Sequence, residues 1–340
     1  MKLKDYEIIQ LPFAKWFEAE DIIKNVTHNP ALIESNRKPT TIMKTMKIYL
    51  ALVLSLVSMA LMAQPAWNQI GADIAGASND NLGQSISLSA DGTIMAVGAS
   101  GANSSTGTVR VYELSGSTWS QIGSDLTGDG TGDSFGSSVS LSADGTTLAV
   151  GAPTSDLELG DFSPTGYVKV FERSGSNWES KGSMLEADSV AEFFGNAVSL
   201  SANGDVLAIG SPSFNGSGQV IGAARIYKWS GTEWSQIGSR IDGSVDFEGL
   251  GTSISLNVSA TDSVLVVGSP DMESTTSADD YAGRVTIYRH SEGSWGGTWS
   301  SPDVLIGSPY DYFGATVSLS ADMERVAIGA PIHFLAFENF

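Results

Sequence analysis

From Phe135 to Pro153 the chain reads FGSSVSLSADGTTLAVGAP. Val139 and Leu141 fall on one side of an extended strand, Ser138 and Ser140 on the other. After a short polar break, Leu148 and Val150 alternate with Ala149 and Gly151, so both halves carry the period of two that marks a β-strand. The Asp144-Gly145 pair between them tolerates positive φ and predicts a hairpin closed by a two-residue type I′ turn. Asp91-Gly92 and Asn203-Gly204 repeat that signal. Ala, Gly and Ser on one face leave room for a neighbouring sheet to approach closely.

The stretch occurs five times, at 82–100, 135–153, 194–212, 250–270 and 313–331, with successive starts 53 to 63 residues apart. A third strand is predicted after each of the first four, at 108–112 (TVRVY), 167–171 (YVKVF), 224–227 (ARIY) and 284–288 (RVTIY). A fourth follows a short turn and is marked by Trp119, Trp178, Trp234 and Trp299, with Trp67 standing ahead of the first unit. The five tryptophans read as packing anchors, because large aromatic side chains dominate core burial. Four antiparallel strands recurring at this period predict an all-β fold, a β-propeller of four-stranded antiparallel blades with five repeats visible. The fifth repeat gives only its first two strands before the dissimilar tail 332–340, so the last blade is expected to be incomplete. Trp67 and the residues to Gly71 then read as the outer strand of a closing blade.

Composition narrows the class. The 340 residues include 38 Gly and no Cys, which leaves no disulfide or thiol chemistry; the three His (His28, His290, His333) are too scattered for a zinc cluster. Residues 1–42 are unlike the rest and read as an extension outside the natural protein, with translation starting at Met43 or Met46. Lys44 and Lys47 precede an apolar run from Ile48 to Met62 that ends at Ala63-Gln64, so 43–63 reads as a secretory signal peptide and 64–340 as the propeller. The competing reading is a membrane anchor, for which the run is short. Either way the chain is expected to be secreted or displayed at the cell surface, touching a membrane only through that segment. The net charge of −20 gives no footprint for nucleic acid.

Phe135-Gly136 with Gly151-Ala152-Pro153, Phe194-Gly195 with Gly210-Ser211-Pro212, and Phe313-Gly314 with Gly329-Ala330-Pro331 give the units a clear likeness. They resemble the FG-GAP repeat of integrin α-chain β-propellers, in its short bacterial variety. The resemblance implies a binding or adhesion module that recognises an extracellular protein or glycan. Integrin-type repeats often carry an Asp-rich calcium loop between the two halves. Here that interval holds one carboxylate, such as Asp144, against the six to eight oxygens that calcium takes. No metal site of integrin type is therefore expected, no cofactor is predicted, and Ca²⁺ has little to hold it.

An acid stands two residues ahead of each repeat: Asp80, Asp133, Glu192, Glu248 and Asp311. Since the two ends of each hairpin lie together, one face should collect all five. They read either as an acidic ring for a cation or basic partner, or as acceptors for the backbone N–H groups of their own loops. The loop at 154–165 adds Asp156, Glu158 and Asp161 as candidate ligand residues; that at 271–281 carries Asp271, Glu273, Asp279 and Asp280. Gly132-Asp133-Ser134-Phe135-Gly136 matches the nucleophile elbow by letter, but an elbow needs a strand before it and a helix after it, and here a strand follows. A propeller enzyme acting on polysaccharide and an inert spacer in a longer surface protein remain the alternatives to the binding module.

Overall fold

The computed structural model describes residues 68–155, 165–188, 191–213, 221–272, 281–291 and 302–331. The chain divides into two compact units, Met1–Asn68 and Gln69–Phe340. The segment 43–63, expected to be a signal peptide, lies outside the described residues, as do Trp67, Trp299 and the tail 332–340. Among the described residues no helix is long and apolar enough to cross a membrane.

The second unit is all-β, a run of propeller-type antiparallel blades. The first holds β1 (Leu82–Leu88), β2 (Ile94–Ala99), β3 (Thr108–Ser115), β4 (Thr118–Gln121) and β5 (Leu126–Thr127). The second holds β6 (Ser138–Leu141), β7 (Thr147–Ala152), β8 (Tyr167–Ser174), β9 (Asn177–Ser180) and β10 (Leu185–Glu186). The third holds β11 (Ala197–Leu200), β12 (Val206–Ser211), β13 (Ala223–Trp229), β14 (Trp234–Gln236) and β15 (Ile241–Asp242). The fourth holds β16 (Ser253–Val258), β17 (Asp262–Ser269), β18 (Arg284–Ser291) and β19 (Asp303–Ile306). Of the fifth, the described residues hold β20 (Thr316–Leu319) and β21 (Val326–Gly329).

The first three strands of each complete blade are hydrogen-bonded in sequence order, as the alternation predicts. The fourth differs: in three blades it is two short pieces, and both pair with the third strand. A glycine with positive φ separates them (Gly123, Gly182, Gly238), so the stretch from the tryptophan to this glycine ends in a bulge. The same local structure stands ahead of the first blade. Gln69 Nε2 donates to Gly71 O and Asp73 Oδ1, as Gln121 Nε2 donates to Gly123 O and Asp125 Oδ1.

The hairpin turn also departs from expectation. Of Asp91-Gly92 only Gly92 has positive φ, at 70°, whereas a type I′ turn needs two such residues. The loop is longer: Gly92 N bonds to Ser89 O at 2.9 Å, and Ser89 N to Ile94 O at 2.9 Å. Side chains explain why. Asp91 Oδ1 accepts from Ser89 Oγ, Thr93 N and Thr93 Oγ1, a local network that replaces the tighter turn. Asp144 and Asp322 repeat it, and Asn203 does the same work in the third unit.

That network fixes an acid-sensitive feature. The Ser89 hydroxyl and the Thr93 groups hold the Asp91 carboxyl down to about 2. At Asp322 the Ser320 and Glu324 bonds also lower it; at Asp144 burial opposes the Ser142 and Thr146 bonds, which outweigh it. A depressed folded-state value adds stability above the unfolded value of about 3.9, and that stability is lost as pH falls through the folded value. Melting temperature should therefore fall between about pH 4 and pH 2. A variant with Asp91, Asp144 and Asp322 all changed to Asn should fold, on the precedent of Asn203, and melt with a flatter acid limb. An unchanged limb in that variant would show that other carboxylates govern acid unfolding.

The core lies between blades. Ala96, Val109 and Val111 of the first pack against Leu141, Leu148 and Val150 of the second. Ala149, Val168 and Val170 of the second meet Val198, Leu200, Leu207 and Ile209 of the third, and the pattern continues to the fifth. Trp234 is buried in that layer and donates its Nε1 hydrogen to Lys181 O of the preceding blade at 2.8 Å. Trp119 and Trp178 are half-buried. Serines stitch adjacent inner strands: Ser85, Ser138 and Ser253 Oγ donate at 2.7 Å to Gly136, Gly195 and Gly314 O. The equivalent apolar side chains of β1, Ile86 and Leu88, are 57% and 53% exposed.

Candidate functional site

In the second to fifth blades the Phe-Gly or Leu-Gly turn closes on the far strand. Gly136 N bonds to Gly151 O at 2.9 Å, and Gly195, Gly251 and Gly314 bond likewise to Gly210, Gly268 and Gly329 O. The acids that precede these turns therefore gather at one end of the blades, and four of the five carboxylates accept from N–H groups of their own loops. Asp133 Oδ2 accepts from Asp129 N, Gly130 N and the Tyr167 hydroxyl at 3.0, 2.8 and 2.8 Å. Glu248 Oε2 accepts from Ser244 N and Val245 N, and its Oε1 pairs with Arg284. Asp80 accepts from Ala77 N and Asp311 from Ser308 N, both at 2.9 Å. Glu192 is fully buried against Arg225, with Oε2 2.8 Å from Nη2.

The partner tracks the length of the acid. Where Glu stands, an arginine of the third strand reaches it, Arg225 from β13 and Arg284 from β18. Where the shorter Asp133 stands, Tyr167 at the start of β8 fills the place and donates a hydrogen bond. Burial, then the hydrogen bond to Asp133, push the Tyr167 hydroxyl far above its ordinary value, so it stays a donor. Four of the five acids thus hold backbone N–H groups of their own loops, and Glu192 holds an arginine of the third strand.

The backbone beside them is unusual. In all five copies the residue before the acid and the residue after it have positive φ, between 53° and 93°. The pairs are Asn79 and Asn81, Gly132 and Ser134, Ala191 and Phe193, Phe247 and Gly249, Tyr310 and Tyr312. Asn and Gly tolerate this region; other L-residues are strained there by about 1–2 kcal/mol. Sequence reasoning missed the aromatic residues at these places. The signal was the substitution of Phe and Tyr for Asn and Gly at aligned positions of the repeat.

Beside the second blade a polar cavity of about 490 Å³ is lined by Asp129, Asp133, Thr165, Tyr167, Met184 and Glu186, among others. Lys169 Nζ lies 2.5 Å from Asp129 Oδ1 near its edge. Asp156, Glu158 and Asp161 lie outside the described residues, as do Glu273, Asp279 and Asp280. Asp271 is described; burial raises its carboxyl. Ser134, the would-be nucleophile, is followed by β6, and its Oγ is hydrogen-bonded to the Thr154 hydroxyl at 2.8 Å, not to a histidine that could take its proton. Among the described residues no three His, Asp or Glu side chains group as metal ligands.

No protein-family model matches the chain, and no curated protein matches it. Among solved structures it is similar to a periplasmic gluconolactonase of Pseudomonas aeruginosa, at 15% identity and a TM-score of 0.47, over 75% of this chain and 66% of that one. It is also similar to TolB from Acinetobacter baumannii, at 14% identity and a TM-score of 0.37, over 68% of this chain and 44% of that one.

Proposed function

We propose that this chain is a secreted or cell-surface binding module of FG-GAP type that recognises an extracellular protein or glycan. The reading rests on the blade-end acids. Asp80, Asp133, Glu248 and Asp311 hold backbone donors of their own turns and Glu192 holds Arg225 of β13, which favours a frame that leaves the surrounding loops for recognition. Acids engaged in this way favour a binding module over an enzyme that would use them as general acids. The test is retention of the protein on glycan arrays and on extracellular protein panels, run beside reducing-sugar release from the same polysaccharides. Retention without release is expected. Release of reducing sugar would replace the binding reading with the polysaccharide-degrading enzyme.

A further inference from the structure

Every junction between successive blades is built from the same inner-strand contacts. Ser87, Ser140, Ser199 and Ser255 Oγ accept from Leu141, Leu200, Leu256 and Leu319 N of the next blade, at 2.9 to 3.0 Å. A Cβ at Gly98, Gly151, Gly210 or Gly268 would strike the carbonyl oxygen of Gly136, Gly195, Gly251 or Gly314 across the junction.

The two end faces carry the halves of one more such junction. On the fifth blade Ser318 takes the place of Ser255 and is paired with Ala327, while Thr316 takes that of Ser253 and is paired with Gly329. Thr316, Ser318 and Ala327 are exposed, and a Cβ at Gly329 would meet only Thr316 of its own hairpin. On the first blade Gly83 has a φ of 92°, against 88° to 94° for the four glycines whose carbonyls are received. Leu88 is the counterpart of Leu141, so its N–H points away from β2, and among the described residues no serine hydroxyl accepts it. Ile86 and Leu88 are exposed, whereas their counterparts Val198 and Leu200 are buried. Neither end face is therefore covered within the chain.

We propose that the first-blade face of one copy takes the fifth-blade face of a second copy, a fifth junction made between chains. The register argues for this occupant. Ser318 offers the acceptor that Leu88 N lacks, Gly329 offers the gap that the Gly83 carbonyl needs, and Ile86 and Leu88 would cover Ala327 as Val139 and Leu141 pack with Ala96. Because the two faces differ, the contact is heterologous and can add copies in series. The proposal goes beyond the binding-module reading and does not depend on it.

Sedimentation velocity of the full chain, from micromolar to submillimolar protein in low and high salt, tests it. Wild type should shift to dimers and longer species as concentration rises. High salt should favour them by screening the mutual repulsion of chains of net charge −20. Ile86→Lys with Leu88→Lys, and separately Ala327→Glu, should each weaken self-association about a hundredfold or more, since each buries a charge in the contact. Both should melt like wild type, because the three side chains are exposed in the single chain. Ile86→Lys alone and Ser318→Lys block the same two faces should either variant melt lower. Mixing the two blocked variants should restore a 1:1 dimer, because each keeps the face that the other has lost. A wild type that stays monomeric, association that weakens with salt or persists in either variant, or a mixture that stays monomeric would overturn the proposal.

Discussion

Changing Arg225 to Met should destabilise the protein by about 3–5 kcal/mol, the loss seen when one partner of a buried ion pair is removed. For a unit of this size that is a fall in Tm on the order of 10 °C. Arg225 is 1% exposed, with Nη2 2.8 Å from Glu192 Oε2 and 3.0 Å from Asp188 Oδ2. Its Nη1 donates to Ser211 Oγ at 3.2 Å, and its guanidinium lies over the Phe194 ring. Without it Glu192 is left fully buried and charged, with its salt-bridge partner gone. Changing Glu192 to Leu as well should recover much of the loss, since an apolar pair of similar volume is often as stable as a buried ion pair. A single variant that melts like wild type would mean that the corner opens to water and the pair anchors nothing.

The second large effect is expected at Gly151. A Cβ built there would stand 2.0 Å from Gly195 O of the next blade, and at Gly210 it would stand 2.1 Å from Gly251 O. The obstacle is backbone, so neither side can yield by a rotamer change. Gly151→Ala should cost about 3 kcal/mol, toward the upper end for overpacking. Gly175 provides the control: its φ is 63° and a Cβ there meets nothing within 4 Å, so Ala should cost only about 1–2 kcal/mol of backbone strain. Chemical denaturation of both variants settles the comparison. Equal losses would mean that the blades are not in close backbone contact at the repeated glycine.

Much of this architecture was legible in the sequence. Period-two alternation located the first three strands of every complete blade, and the repeated Gly-Ala and Gly-Ser pairs mark the close approach of sheets. The division of the fourth strand was hidden, because a bulge depends on Gly123 and its neighbours in three dimensions rather than on alternation. The hairpin turn was misread because Asp-Gly signals two φ-positive residues, while Ser89 and Asp91 together stabilise a longer loop with one. Of the candidate site, the recurrence of Asp80, Asp133, Glu192, Glu248 and Asp311 was plain. Their partners were not: Tyr167, Arg225 and Arg284 lie 33 to 36 residues downstream in sequence, and only the return of the third strand brings them to the acids.

The account turns on whether those acids are frame or binding surface, and amide hydrogen exchange in the wild type and in Asp133→Ala measures this most directly. If they are frame, Asp129, Gly130, Ser244 and Val245 amides should exchange slowly although they lie in loops, since each donates to a carboxylate. Asp133→Ala should then speed Asp129 and Gly130 by about tenfold to a hundredfold, the equivalent of losing a charge-assisted hydrogen bond, and leave Ser244 and Val245 as they were. Fast exchange at all four amides in the wild type, or no change at Asp129 and Gly130 in the variant, would contradict it.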